Sequence, residues 1–182
     1  MNKNIQFIFG LIVFGLMTNP VMAETLPVAE ASARPHFPVE IVDARINKLE
    51  SFLRTYNSPL AGDAAHFVKE ADRLGLDWRL VVAICGVEST FGKHIPANSY
   101  NGWGWGVFTG TNDGVHFANW KDGITQVSEG LKYRYVDKGA TTVEKMGRIY
   151  AASPTWSMKV KFFIEKIDAF TPVGIDHLAV TI

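Results

Sequence analysis

The stretch Leu74–Gly92 constrains the fold of this chain more than any other. It reads LGLDWRLVVAICGVESTFG, a long apolar run between two helix boundary signals. Asp77 is a good N-cap, and Gly92 suits the left-handed conformation that ends many helices, so the sequence predicts one helix between them. Helical steps back from Glu88 meet only apolar side chains: Cys85, Ile84 and Val81. The spacing therefore places a carboxylate at the end of an apolar helix face.

The position of Glu88 suggests proton-transfer chemistry. A carboxylate on an apolar face loses water, which raises its pKa toward the value that a general acid needs near neutral pH. The alternative is an ordinary Glu that ends a helix and points into solvent. Periodicity alone supports the two interpretations about equally.

The residues that follow Glu88 indicate a family. Glu88–Gly92, which reads ESTFG after an apolar helix, resembles the catalytic signature of lysozyme-like peptidoglycan hydrolases. The stretch is similar to the motif of two branches of that superfamily, the soluble lytic transglycosylases and the bacterial N-acetylglucosaminidases. Ser99–Gly106, which reads SYNGWGWG, is more like the Asn-Asn-x-Phe-Gly motif of the glucosaminidases, with Trp in place of Phe and a single Asn. The resemblance covers residues 43–170 and implies that Glu88 is the catalytic acid.

The rest of the sequence predicts a mainly α domain over residues 43–171. Its helices are expected to begin near Asp43, Leu60, Asp77, Trp120, Thr141 and Ser153. Residues 93–119 differ, since they contain five glycines and two short β-like runs. This segment predicts a small loop or β-hairpin lobe after the central helix. The resemblance implies that the whole is a lysozyme-like fold with its cleft between lobe and helices.

The two ends of the chain lie outside that domain. Residues 1–23 combine a lysine, a short apolar core and a Val-Met-Ala site, a pattern typical of a secretory signal peptide. Residues 24–42 contain three prolines and predict a flexible linker. We therefore expect an exported protein, periplasmic or secreted and associated with the cell wall, with no stable membrane insertion after signal cleavage. The apolar tail 172–182 has no clear periodicity.

Composition excludes several other classes of function. The formal net charge is zero, which does not favour nucleic acid as a partner. The five histidines are scattered without a ligand-spaced pair, so we expect no metal and no cofactor. The single cysteine, Cys85, forms no internal disulfide and is expected in the core. We expect a monomer.

Aromatic and polar residues near Glu88 are candidates for substrate binding. Trp103 and Trp105 lie between glycines, and indole rings stack on the apolar faces of sugars, so they could form a groove wall. They could instead fill the core of the lobe, and we expect at least one to face the groove. The family resemblance implies that Ser89, Asn101 and Tyr150 orient the substrate, although Tyr150 could equally be a partly buried helix end.

The identity of a second carboxylate is open. Glycosidases usually use two carboxyl groups, about 5–5.5 Å apart in retaining enzymes and about 6.5–9.5 Å apart in inverting ones. Between Glu88 and Trp120 the sequence has one other acid, Asp113, in a predicted turn where Asp is favoured for its backbone geometry. Without it, one glutamate would act as acid and then as base, as in lytic transglycosylases.

These features predict an exported enzyme that cleaves β-1,4 bonds of peptidoglycan glycan strands. The alternative is a catalytically silent glycan-binding or envelope-scaffold protein on the same fold, because fold alone does not establish activity.

Overall fold

The described part of the chain is mainly helical. A computed structural model describes residues 43–107 and 114–172, all within one compact unit, Glu40–Ile182. Six α-helices run through these residues: α1 Ala44–Thr55, α2 Ala64–Leu74, α3 Leu80–Ser89, α4 Trp120–Arg134, α5 Val143–Tyr150 and α6 Trp156–Ala169. The predicted signal peptide, the linker and all of the tail after residue 172 lie outside the described residues.

Local sequence explains where the first helices begin and end. The Asp43 side chain accepts a hydrogen bond from the Arg45 backbone N–H, which caps α1 as predicted. The predicted second helix begins instead with a 3₁₀ turn, Ala61–Asp63, before α2. Gly75, with a φ of 64°, ends α2 in the left-handed conformation. The sequence therefore predicted this pair of helices but not the tighter first turn.

The central helix is shorter than predicted at both ends. Asp77 lies one turn before it, because the helix begins only at Leu80 and Arg79 occupies the N-cap position. The Asp77 carboxylate accepts from the Arg79 N–H, and the Asp77 carbonyl accepts from the Leu80 N–H, within the turn that precedes the helix. At the other end the chain leaves the helix at Thr90, which has a φ of 52°, two residues before Gly92. A β-branched residue with positive φ is an uncommon and strained conformation. The left-handed run therefore starts directly after the Glu-Ser pair.

Helix α3 lies at the centre of the core. All of its residues from Leu80 to Gly86 are buried, and it packs against α6 and α4. Cys85 is fully buried and unoxidised, so the prediction that it belongs to the core is confirmed. Burial raises the pKa of the Cys85 thiol to about 12, which keeps it protonated and unreactive at neutral pH.

Surface ion pairs connect the helices around this core. Arg45 at the start of α1 binds Asp72 of α2 at 2.8 Å. Arg79, just before α3, binds Asp168 near the end of α6 at 2.6 Å. Such exposed pairs contribute little each, so the buried apolar contacts dominate the stability. None of the described helices is long and apolar enough to cross a membrane.

The lobe between α3 and α4 is irregular. No strand forms in its described parts, residues 93–107 and 114–119. Its two sides do meet, because the Val115 N–H donates to the Trp105 carbonyl at 3.0 Å, but Gly104 and Gly106 have positive φ and interrupt the extended backbone of a ladder. The sequence predicted either a loop or a β-hairpin lobe, and the described residues form a loop. The predicted turn around residues 112–114 falls mostly outside the described residues.

Candidate functional site

Glu88 lies in the last turn of α3, where the helix meets the lobe. One oxygen, Oε1, accepts a hydrogen bond of 2.6 Å from the indole Nε1 of Trp156, the first residue of α6. The residue as a whole remains exposed to solvent. Its carboxylate therefore has one side fixed against protein and one side open, which is the geometry required of a group that exchanges a proton with a bound molecule.

Burial against protein dominates the pKa of Glu88. Desolvation raises the pKa above its ordinary value, while the Trp156 hydrogen bond and the positive charge of Lys159 each lower it. The net effect is a raised pKa, as the apolar helix face predicted. These opposing contributions suit a group that gives up a proton. Desolvation favours the protonated form of Glu88, and the Trp156 hydrogen bond and the Lys159 charge stabilise the carboxylate once the proton has left.

A cavity of about 220 Å³ opens beside this carboxylate. We call it the Glu88 groove, and its lining consists of Glu88, Ser89, His94, Pro96, Ser99, Asn101, Gly104, Val107 and Gly114. Gly104 brings the lobe backbone over the carboxylate, since a Cβ built there would lie 3.6 Å from Glu88 Oε2. Its φ of 61° also favours glycine.

Ser89 connects the central helix to the lobe. Its buried hydroxyl donates to the Gly102 carbonyl at 2.7 Å and accepts from the Gly92 N–H at 2.8 Å. Gly102 can approach because it has no side chain, as a Cβ there would lie 2.6 Å from Cys85 Sγ. These bonds give the Ser89 hydroxyl a structural role, and its predicted role of orienting substrate stays a prediction.

Asn101 holds the two sides of the lobe together. Its amide nitrogen donates to the carbonyls of Trp105 and Val115 at 2.8 and 2.9 Å, and its oxygen accepts from the Trp105 N–H at 2.9 Å. Both amide hydrogens are used in this way. Asn101 lies in the groove wall, but it is buried and its amide positions the lobe. Its contact with a substrate stays a prediction.

Trp103 belongs to the core, so the prediction that it lines the groove is wrong. The side chain is fully buried, and its indole N–H donates to the Val81 carbonyl at 2.9 Å. Its ring meets Phe117 edge-on, with centroids 6.2 Å apart. Phe117 is also buried, whereas Trp120 is partly buried. Trp103 is therefore the large buried side chain through which the lobe packs on α3.

Trp105 is half-buried and points toward α4 and α5. Its ring packs tightly against Gly130, where a Cβ would lie 2.2 Å from the indole. It also lies 6.0 Å from the ring of Tyr150 and 6.3 Å from that of Tyr135. Trp105 is not part of the groove lining given above, and part of its ring remains open to solvent. Its substrate contact therefore stays a prediction.

Tyr150 lies beside Glu88, although its hydroxyl is engaged elsewhere. The hydroxyl donates to the Trp103 carbonyl at 2.6 Å, and the ring stacks on Trp156 at 4.8 Å between centroids. Burial, followed by the negative charge of Glu88, raises the pKa of Tyr150 well above its ordinary value. Tyr150 is therefore a neutral donor that fixes the lobe backbone and the indole bonded to Glu88.

Sequence reasoning missed Trp156 as a site residue. The apolar spacing of α6 places Trp156 correctly on the inner side of that helix, where it is buried. The signal that could have identified it is chemical, because a buried indole N–H requires an acceptor. Here the acceptor is the Glu88 carboxylate.

Asp113, the possible second carboxylate, lies outside the described residues. Within residues 43–107 and 114–172 no three His, Cys, Asp or Glu side chains cluster as metal ligands would.

Comparisons with known proteins do not assign a family. A scan against protein-family models finds no match, and a search of curated proteins finds no related sequence.

Proposed function

We propose that this protein is an exported peptidoglycan hydrolase with a lysozyme-like fold, which cleaves β-1,4-glycosidic bonds with Glu88 as the general acid. One observation carries the proposal. The Glu88 carboxylate is fixed by Trp156, has a raised pKa, and opens into a groove at the junction of helix and lobe. The ESTFG motif that it begins resembles the catalytic signature of that superfamily.

The proton transfer follows from the two sides of the carboxylate. In the protonated form, Glu88 would donate from the open side to the glycosidic oxygen of the leaving sugar as that bond breaks. The resulting carboxylate remains bonded to the Trp156 N–H and near the positive charge of Lys159, which stabilise its negative charge. Tyr150 acts as a positioning residue, because it stacks on Trp156 and bonds the lobe backbone.

The same carboxylate can complete the reaction as a base. In one route the oxygen of a water molecule bonds to the anomeric carbon freed by the departing sugar and gives its proton to Glu88, which leaves a reducing end. In the other route the 6-hydroxyl of the same sugar bonds to that carbon and gives its proton to Glu88, which leaves a 1,6-anhydro end. Both routes regenerate the protonated Glu88. Among the described residues that line the Glu88 groove, Glu88 is the one carboxylate, so we propose that one glutamate serves both steps.

The test is mass analysis of purified cell-wall sacculi digested with the protein. Anhydro-muramyl ends would identify a lytic transglycosylase, reducing GlcNAc ends a glucosaminidase, and reducing muramyl ends a lysozyme. The digest is repeated with Glu88→Gln, which keeps the shape of the side chain without its transferable proton. Because general acid catalysis contributes about 10²–10⁴-fold, turnover should fall by about that factor.

A matched control separates loss of the proton from loss of a charge. Glu50→Gln removes a carboxylate whose ion pair with Arg54 spans one exposed turn of α1, far in sequence from the groove. It should digest sacculi at the wild-type rate. Equal turnover by wild type and Glu88→Gln would overturn the assignment, and the absence of products from the wild type would favour a silent glycan binder.

A further inference from the structure

Helix α6 exposes two large apolar side chains on one face. Met158 is 64% exposed and Phe162 is 51% exposed, although both belong to a helix whose other face packs into the core. They are four residues apart and so lie on the same side of the helix. Single exposed apolar residues are ordinary, but a contiguous pair beside a cavity marks a binding surface.

The two side chains border a groove formed with α3. We call this surface the α6 shelf, and it consists of Gly86, Val87, Met158, Lys159, Phe162 and Phe163 around a cavity of about 490 Å³. Gly86 is required where it lies, because a Cβ there would come within 2.6 Å of the Phe91 ring and 3.1 Å of Phe163. Helix α3 therefore has no side chain at position 86, where it forms the floor of the shelf.

The shelf carries positive charge along its apolar surface. Lys159 lines the cavity, and the Lys166 ammonium lies 5.1 Å from the centre of the Phe162 ring. Glu144 and Glu165 line a neighbouring cavity that shares Met158 and Phe162 with the shelf. Neither carboxylate is among the residues around the cavity of the shelf itself. A ligand on the shelf would therefore meet apolar surface and ammonium groups, which suits a molecule with short alkyl groups and carboxylates.

The shelf adjoins the Glu88 groove. Val87 precedes Glu88 in α3, and Trp156, which bonds the Glu88 carboxylate, lies one helical turn before Lys159. Lys159 is close enough for its charge to act on Glu88. A chain bound beside Glu88 could therefore extend a substituent onto the shelf without a second binding event.

These features, together with the proposed function on which this step depends, identify one occupant. We infer that the α6 shelf binds the acidic stem peptide that peptidoglycan carries on its glycan strand. The peptide brings carboxylates to Lys159 and Lys166 and its short alkyl side chains to Met158 and Phe162. It is tethered to the sugar at the reaction site, so the cost of bringing it to the shelf is largely removed by the binding of the strand.

Binding measurements in a Glu88→Gln background test the inference without turnover. Titration calorimetry is performed with a glycan fragment that bears stem peptides and with the same fragment after the peptides have been removed. Phe162→Ala and Lys166→Met should each weaken binding of the peptide-bearing fragment by about three- to tenfold, the equivalent of ~0.6–1.4 kcal/mol. Neither should change binding of the peptide-free fragment. Ile149→Ala removes an equally exposed apolar side chain away from the shelf and should change neither affinity.

The other outcomes each overturn a defined part of the account. Equal losses for both fragments would mean that the shelf binds sugar, and unchanged affinities would mean that it binds neither part of the strand. Concentration-dependent sedimentation or binding to anionic vesicles that Phe162→Ala abolishes, with unchanged fragment affinities, would assign the shelf to a second copy or to a lipid surface. If the parent protein binds the peptide-free fragment but the shelf variants do not weaken the peptide-bearing fragment selectively, the inference fails while the proposed function stands. If neither fragment binds the parent protein, both fail.

Discussion

The two sides of Glu88 are built on different principles. On the lobe side, polar groups are buried and bonded to one another, as Ser89 is to Gly102 and Asn101 is to Trp105. On the α6 side, Met158 and Phe162 are exposed beside Lys159. The Glu88 carboxylate therefore lies between the lobe, whose polar groups bond to one another, and the face of α6, whose apolar side chains are exposed to solvent.

This difference separates stability from recognition. Substitutions on the lobe side remove contacts that the folded chain itself uses, so they should lower the free energy of unfolding. Substitutions on the α6 side remove surface that water already contacts, so they should affect a ligand more than the fold. We therefore expect the first region to fix the position of the site, and we propose that the second contributes to its selectivity.

The largest expected effect on stability is that of Trp103→Ala. Because Trp103 is fully buried and bonded to the Val81 carbonyl, its loss should lower the free energy of unfolding by about 3–5 kcal/mol. Trp105→Ala, which truncates a half-buried ring two residues away, should cost distinctly less. Urea denaturation of both variants measures the difference. Similar losses for the two tryptophans would contradict the assignment of Trp103 alone to the core.

Asn101→Ala should have the next largest effect. It leaves part-buried backbone groups of Trp105 and Val115 without their partners, which should destabilise the protein by about 1–3 kcal/mol. Gln126→Ala removes an exposed amide that bonds only Asp122 on the same helix, and it should change stability little. If Asn101→Ala left stability intact while weakening glycan binding, Asn101 would be a substrate contact and not a structural one.

The smallest effect on stability is expected for Phe162→Ala. The ring is half-exposed, and its contacts are with Phe163 and Lys166 on the same helix. The free energy of unfolding should stay within about 0.5 kcal/mol of the wild type, as for most surface substitutions. Thermal unfolding measures this value, and a loss comparable with that of Trp103→Ala would show that the α6 shelf is part of the core.

Much of the fold could be predicted from local sequence. The cap at Asp43, the left-handed stop at Gly75 and the apolar stripe of α4 are encoded within a few residues, and the structure confirms each. The raised pKa of Glu88 was also predictable, because helical periodicity alone places it at the end of an apolar face.

The roles of the lobe residues could not be predicted in the same way. Whether Trp103 or Trp105 faces solvent depends on contacts with distant segments, namely Val81 for the first and Gly130 for the second. The site residue Trp156 is 68 positions from Glu88, and nothing in local periodicity links the two. Polar and aromatic residues near a catalytic motif look alike in sequence whether they bind a ligand or fasten the loop that carries it.

The central claim is that Glu88 is partly desolvated and holds its proton at a higher pH than an ordinary glutamate. Carbon-13 NMR titration of its side-chain carboxyl, assigned by its absence in Glu88→Gln, measures this directly. Because burial raises the pKa and the charge of Lys159 lowers it, the midpoint should lie above the ordinary value and should rise further in Lys159→Met. A midpoint at or below the ordinary value, unmoved by Lys159→Met, would contradict the account.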